Sequence, residues 1–97
     1  MSYLEFEWDE EKNKANIRKH GVSFKEACST FYDEEAIRYF DPENSEDEDR
    51  FLLLGLSADF KTLVVSHCFR KQDSYIRIIS ARKADKSEQK VYWSRSL

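Results

Sequence analysis

Ninety-seven residues leave room for one domain, 1–97, with a single small core. Charged residues make up 36% of the chain, the formal net charge is −3, and no apolar run approaches the roughly 18 residues of a membrane span. There is no signal-peptide pattern either, so a cytoplasmic protein without a membrane contact is expected. Cys28 and Cys68 stand alone without CxxC or CxxH spacing, which argues for buried free thiols and against a disulfide framework or zinc site.

Residues 3–8 (YLEFEW) alternate largely apolar with polar and predict a strand. A helix follows over about 10–20, with Asp9 as its cap, Glu10 and Glu11 in the positive first turn and Gly21 as its left-handed stop. Lys12, Asn16, Lys19 and His20 recur at helical spacing on it, a polar row that suits an anion. Ser23 caps a second helix over 24–32, with Glu26 completing a capping box, Val22 stapling onto Ala27, and an apolar stripe of Phe24, Ala27, Cys28 and Phe31. Residues 36–40 predict a short strand, and DPENSEDED (41–49) an acidic loop.

Three strands follow, at 51–56, 62–70 and 75–82, joined by turns at 57–61 and 71–74. A last helix opens at Asp85, with Glu88 three residues on. The order β-α-α-β-β-β-β-α predicts an α+β fold, an antiparallel sheet with helices on one face and the other face partly open.

Charge is uneven along the chain. Residues 33–50 hold nine acids and two bases, whereas 61–95 hold nine bases and three acids. Local potential steers encounter more than net charge does, so the basic half is compatible with a polyanion. Both runs also read as ordinary solvated faces.

A tight turn in the 62–82 hairpin sets Arg70 opposite Tyr75 and His67 opposite Ile78. Simple alternation then groups His67 with Ser80 and Arg82 on one face, and Arg70 with Tyr75 and Arg77 on the other. Arginine forks onto phosphate, and tyrosines such as Tyr75 or Tyr92 stack bases, which suits single-stranded RNA. Cleavage through the 2′-hydroxyl needs a base, cationic stabilisation of the phosphorane and an acid for the leaving 5′-oxygen, but no metal. His20 and His67 are the side chains that titrate near neutrality unperturbed. A strand histidine is also commonly a packed core group, Asn16 and His20 can simply tie the first helix to the sheet, and sheet arginines commonly pair with carboxylates such as Asp73, Asp85 or Glu88.

Taken together, WDEEKNKANIRKHGVSFKEA (8–27), EDR (48–50), the H-x-x-R of His67 and Arg70, RIISARKA (77–84), Glu88 and Tyr92 resemble the BrnT family of type II toxins. The resemblance implies a RelE-like fold and a ribonuclease toxin that arrests growth, needs no cofactor and is neutralised by a BrnA-type antitoxin. It also implies that operator DNA is bound only through the toxin–antitoxin complex. Lys12, Asn16, Lys19, His20 and Gly21 match the N-terminal signature, Arg50, Arg70, Ser80 and Arg82 the sheet positions, and Glu88 the last helix. The catalytic expectation is Arg70 and Arg82 as phosphate and transition-state ligands, His20 and Lys12 in proton transfer or phosphate contact, and His67 as base. Lys19, Arg50, Arg77, Ser80, Tyr75 and Tyr92 are expected to contact RNA. The alternatives are a non-catalytic RNA- or protein-binding module and an inactive toxin that keeps the fold.

Overall fold

Residues 3–95 are described by the structure, a computed structural model. Asp9 accepts from the backbone N–H groups of Glu11 and Lys12 and so starts helix α1, Glu10–His20. Gly21 ends it at φ 70, its N–H donating to the Ile17 carbonyl at 2.8 Å. A Cβ on Gly21 would meet nothing within 4 Å, so only the backbone conformation penalises a side chain there. Gly21→Ala should therefore cost about 1 kcal/mol, read as a lower urea midpoint at unchanged m-value. An unmoved midpoint would mean that the left-handed stop carries no weight.

Helix α2, Phe24–Ser29, is shorter than its pattern predicts, and the chain tightens into a 3₁₀ turn over Thr30–Tyr32. The hydroxyls of Ser29 and Thr30 bond back to the carbonyls of Glu26 and Ala27 and compete with the α-helical ladder. Only half of the expected capping box forms. Ser23 Oγ accepts from the Glu26 N–H, but the Glu26 carboxylate accepts from Ser57 Oγ at 2.8 Å and faces Lys61 at 3.9 Å.

The sheet comprises β1 (Phe6–Glu7), β2 (Ile37–Phe40), β3 (Phe51–Leu56), β4 (Thr62–Arg70) and β5 (Tyr75–Lys83), in spatial order β1-β5-β4-β3-β2. Strands β2 to β5 form an antiparallel meander. β1 corrects the expectation of a wholly antiparallel sheet, since it runs parallel to β5. It joins that strand from the far end of the chain, so no hairpin dictates its direction.

Arg70 faces Tyr75 and His67 faces Ile78, as the tight turn predicts. The register then slips. Ser66 opposes Ser80, which leaves Ile79 as an unpaired bulge residue. One extra residue inverts the alternation beyond it. Ser80 and Arg82 consequently leave the His67 face and join Ser66, Cys68 and Arg70, contrary to the grouping expected from simple alternation.

Helices cover both faces, not one. Val22, Phe24 and Ala27 pack on Leu53, Leu63, Val65, Ile78 and Ala81 of the first face. On the second, α3 (Lys86–Ser94) sets Tyr92 against Leu54 and Val64. The Tyr92 hydroxyl donates to Asp33 at 2.6 Å, and Asp33 also accepts from the Leu56 N–H. At the outer edge of β5 the strand pairs of β1 stop at Arg77. Beyond them Asn16 takes the place of a neighbouring strand. Its amide donates to the carbonyls of Val22 and Ala81 at 2.8 Å and accepts from the Ala81 N–H at 3.1 Å. None of the helices is long and apolar enough to cross a membrane among the described residues.

Candidate active site

The bulge at Ile79 places Arg70, Arg77 and Arg82 on one sheet face. Cys68 pairs with Arg77, Ser66 with Ser80 and Val64 with Arg82. Because Val64 and Arg70 are six residues apart in β4, Arg82 and Arg70 stand roughly 20 Å apart along the sheet. Arg77 lies between them. The guanidinium groups thus form a row and do not crowd one point.

Each is held by a carboxylate near the surface. Arg70 meets Glu48 at 3.1 Å and Arg77 meets Glu7 at 3.0 Å. Arg82 binds Glu88 in a fork at 2.8 and 2.9 Å. Glu88 also accepts from the Asp85 N–H in the capping box of α3, so Arg82 is aimed by a helix start. That fork holds the Glu88 carboxyl below its ordinary range. The three arginine side chains retain 47%, 29% and 42% of their accessible surface. Ion pairs this exposed are worth at most about 1 kcal/mol, so a phosphate can compete for the guanidinium groups.

Glu7 was not singled out by sequence reasoning. Its backbone pairs directly with Arg77, one carboxylate oxygen takes the Arg77 bond, and its charge also acts on Arg70. The signal was the alternation of FEW, which sends Glu7 to the face opposite Phe6 and Trp8.

Residues 8–88 match the family described as "Ribonuclease toxin, BrnT, of type II toxin-antitoxin system". The chain belongs to the BrnT family. Its fold is similar to the crystal structure of the Brucella abortus ribonuclease toxin, BrnT, at a TM-score of 0.65 and 22% identity, over 87% of this chain and 100% of that one. No curated protein matches the chain significantly. Membership makes it a ribonuclease toxin of a type II system, with RNA as substrate and an antitoxin as partner.

The other residues expected at the BrnT site are scattered. His67 lies fully buried on the opposite sheet face, its ring 4.8 Å from that of Phe31 and 5.6 Å from that of Phe69. It does not meet the arginine row, which corrects the grouping with Arg82. Lys12 and Lys19 are exposed and His20 half-buried on α1, which Asn16 anchors at the outer edge of β5. None of the three makes a side-chain hydrogen bond or ion pair with a described residue. Asn16 is a structural tie. Arg50 lines a cavity together with Glu46, Asp47 and Glu48 of the acidic loop, and its Nε is buried without a hydrogen-bond partner among the described residues. Tyr75 is half-buried at the hairpin end, with Lys71 Nζ 4.3 Å from its ring centroid. Tyr92 is 3% exposed and packed, so it presents no stacking surface. Ser80 is exposed within the row, opposite Ser66.

Burial pulls the His67 pKa down to about 4, from an ordinary value of 6.5. The unfolded chain therefore takes up this proton first as pH falls. The stabilisation is complete above pH 6.5 and is lost progressively down to pH 4, by up to about 3 kcal/mol. Urea midpoints of the wild type should fall between pH 7 and 4.5, and His67→Phe should flatten that fall. An equal slope in both proteins would contradict a neutral buried imidazole.

Proposed function

We propose that this BrnT-family toxin is an endoribonuclease that cleaves single-stranded RNA by attack of a 2′-hydroxyl on the adjacent phosphodiester, without a metal ion. The observation that carries this reading is the register slip at Ile79, which gathers Arg70, Arg77 and Arg82 on one face. A row of cations spread over roughly 20 Å suits phosphates along an extended strand. Arg70, at the Glu7 end of the row, binds the scissile phosphate and offsets the charge that develops on the phosphorane, and Arg82, roughly 20 Å along the sheet, binds a flanking phosphate. Glu7, beside Arg77 and Arg70, is the carboxylate best placed to take the 2′-hydroxyl proton. The 2′-oxygen bonds to phosphorus, the 5′-oxygen leaves and is protonated, and a 2′,3′-cyclic phosphate results.

Lys12 and His20 stay candidates for that protonation, and Lys19, Arg50, Ser80 and Tyr75 for flanking contacts. In this reading the sheet is used as in RelE-like toxins, the free toxin arrests growth in the cytoplasm, and a BrnA-type antitoxin silences it. Operator DNA is bound by the complex alone.

The test is purified protein incubated with RNA in excess EDTA. Cleavage with cyclic-phosphate ends, lost when the scissile residue is 2′-deoxy, is the expected result. Cleavage of the deoxy-substituted strand, or cleavage abolished by EDTA, would overturn the mechanism. RNA binding without cleavage would favour a non-catalytic module.

A further inference from the structure

Opposite the arginine row, one end of the sheet is left open by α1 and α2. Two cavities of about 550 and 380 Å³ meet there at Arg38 and Phe69. Phe51 and Phe69 supply π faces, and His67 sits in the wall. His67 Nδ1 lies 3.1 Å from the Val65 carbonyl, so Nδ1 carries the proton and Nε2 presents a lone pair. That Nε2 is buried and has no partner among the described residues. A buried polar atom left unmatched in a cavity wall points to a ligand.

Glu48, Asp49 and Asp73 line the larger cavity, and Glu48 is also the partner of Arg70. The segment 33–50 that frames the cleft carries nine acids and two bases. Apart from Arg38, the cleft offers acceptors, carboxylates and aromatic faces. A phosphate would be repelled, whereas a cation with N–H donors finds every group it needs.

Arg38 already supplies one such cation from within the chain. Its guanidinium carbon lies 5.5 Å from the Phe51 centroid and 5.7 Å from the Phe69 centroid. It comes from β2, the outermost strand of the sheet, where Tyr39 and Phe40 are 42% and 52% exposed. An unpaired edge with exposed aromatics gives a second chain a surface to lie on.

We propose that this cleft docks a lysine- or arginine-bearing segment of a protein partner, whose cationic side chain displaces Arg38 from Phe51 and Phe69 and donates to His67 Nε2. The two faces then divide by charge, RNA on the arginine row and a basic protein segment on the acidic end. This site does not depend on ribonuclease activity, so its test reads binding and not cleavage.

The experiment is an NMR titration of the isotope-labelled protein with an arginine–alanine repeat peptide, run beside a non-cleavable 2′-O-methyl RNA. The peptide should shift the His67 ring and the Phe51 and Phe69 resonances saturably, while the RNA leaves them unmoved. Asp49→Asn with Asp73→Asn should weaken the peptide about tenfold. Asn tolerates the positive φ of 68° at residue 73, so the turn is preserved. Arg38→Ala removes the internal competitor and should tighten the peptide by about threefold. RNA cleavage should be unchanged in these variants. Absence of a saturable His67 shift, peptide binding indifferent to all three residues, or RNA moving the His67 ring would each overturn the proposal.

Discussion

Arg70→Ala should lower kcat/KM for RNA cleavage by about 10²–10³-fold, because it removes the cation aimed at charge that develops on phosphorus. Arg82→Ala removes a flanking phosphate contact about 20 Å away and should lower it by about tenfold. The two changes differ in what they leave behind. Without Arg82, Glu88 keeps its bond from the Asp85 N–H, so the start of α3 survives. Without Arg70, Glu48 returns to a solvated loop. Neither residue is in the core, so circular dichroism and the urea midpoint should move by less than about 1 kcal/mol. Arg82→Lys separates charge from geometry, since an ammonium cannot make the two-point fork. It should recover part of the lost rate. Full wild-type activity in Arg82→Ala would remove this residue from the site.

The second large effect is on folding. Asn16→Ala should destabilise the protein by about 3 kcal/mol. The substitution leaves the Ala81 N–H and the carbonyls of Ala81 and Val22 without their partner. Asn16 is 7% exposed, so water reaches these groups poorly. The measurement is the shift of the urea midpoint at constant m-value. Ala81 lies next to Arg82, so the variant should also lose cleavage activity even under conditions where it stays folded. A loss below about 1 kcal/mol would mean that the β5 edge is solvated as readily as it is bridged.

Much of this architecture is written locally. Asp9, Gly21, Ser23 and Asp85 mark helix ends through caps that involve neighbouring residues, and the structure uses all four. The alternation Leu63, Val65, His67, Phe69 places His67 on the apolar face, where it is found. Here the packing pattern carried more information than the chemistry of the side chain.

Other features depend on distant partners. Glu26 pairs with Ser57 in preference to Ser23, and nothing near residue 26 announces that competitor. β1 has two residues, too few for their pattern to state a direction. The bulge is hidden for a different reason. Ile78 and Ile79 are both β-branched and apolar, so a period of two cannot tell which leaves the ladder. That single choice decides whether Arg82 shares a face with Arg70. The role of Glu7 follows from the same kind of long-range pairing, with Arg77 seventy residues away.

The arginine row is tested most directly by the salt dependence of binding to 2′-O-methyl RNA. Each phosphate neutralised on a single strand contributes about 0.7 to the slope of log K against log salt. The slope should flatten by about that amount in each of Arg70→Ala, Arg77→Ala and Arg82→Ala, while affinity falls across all sequences alike. A slope identical to wild type in all three variants would show that RNA does not lie on this face.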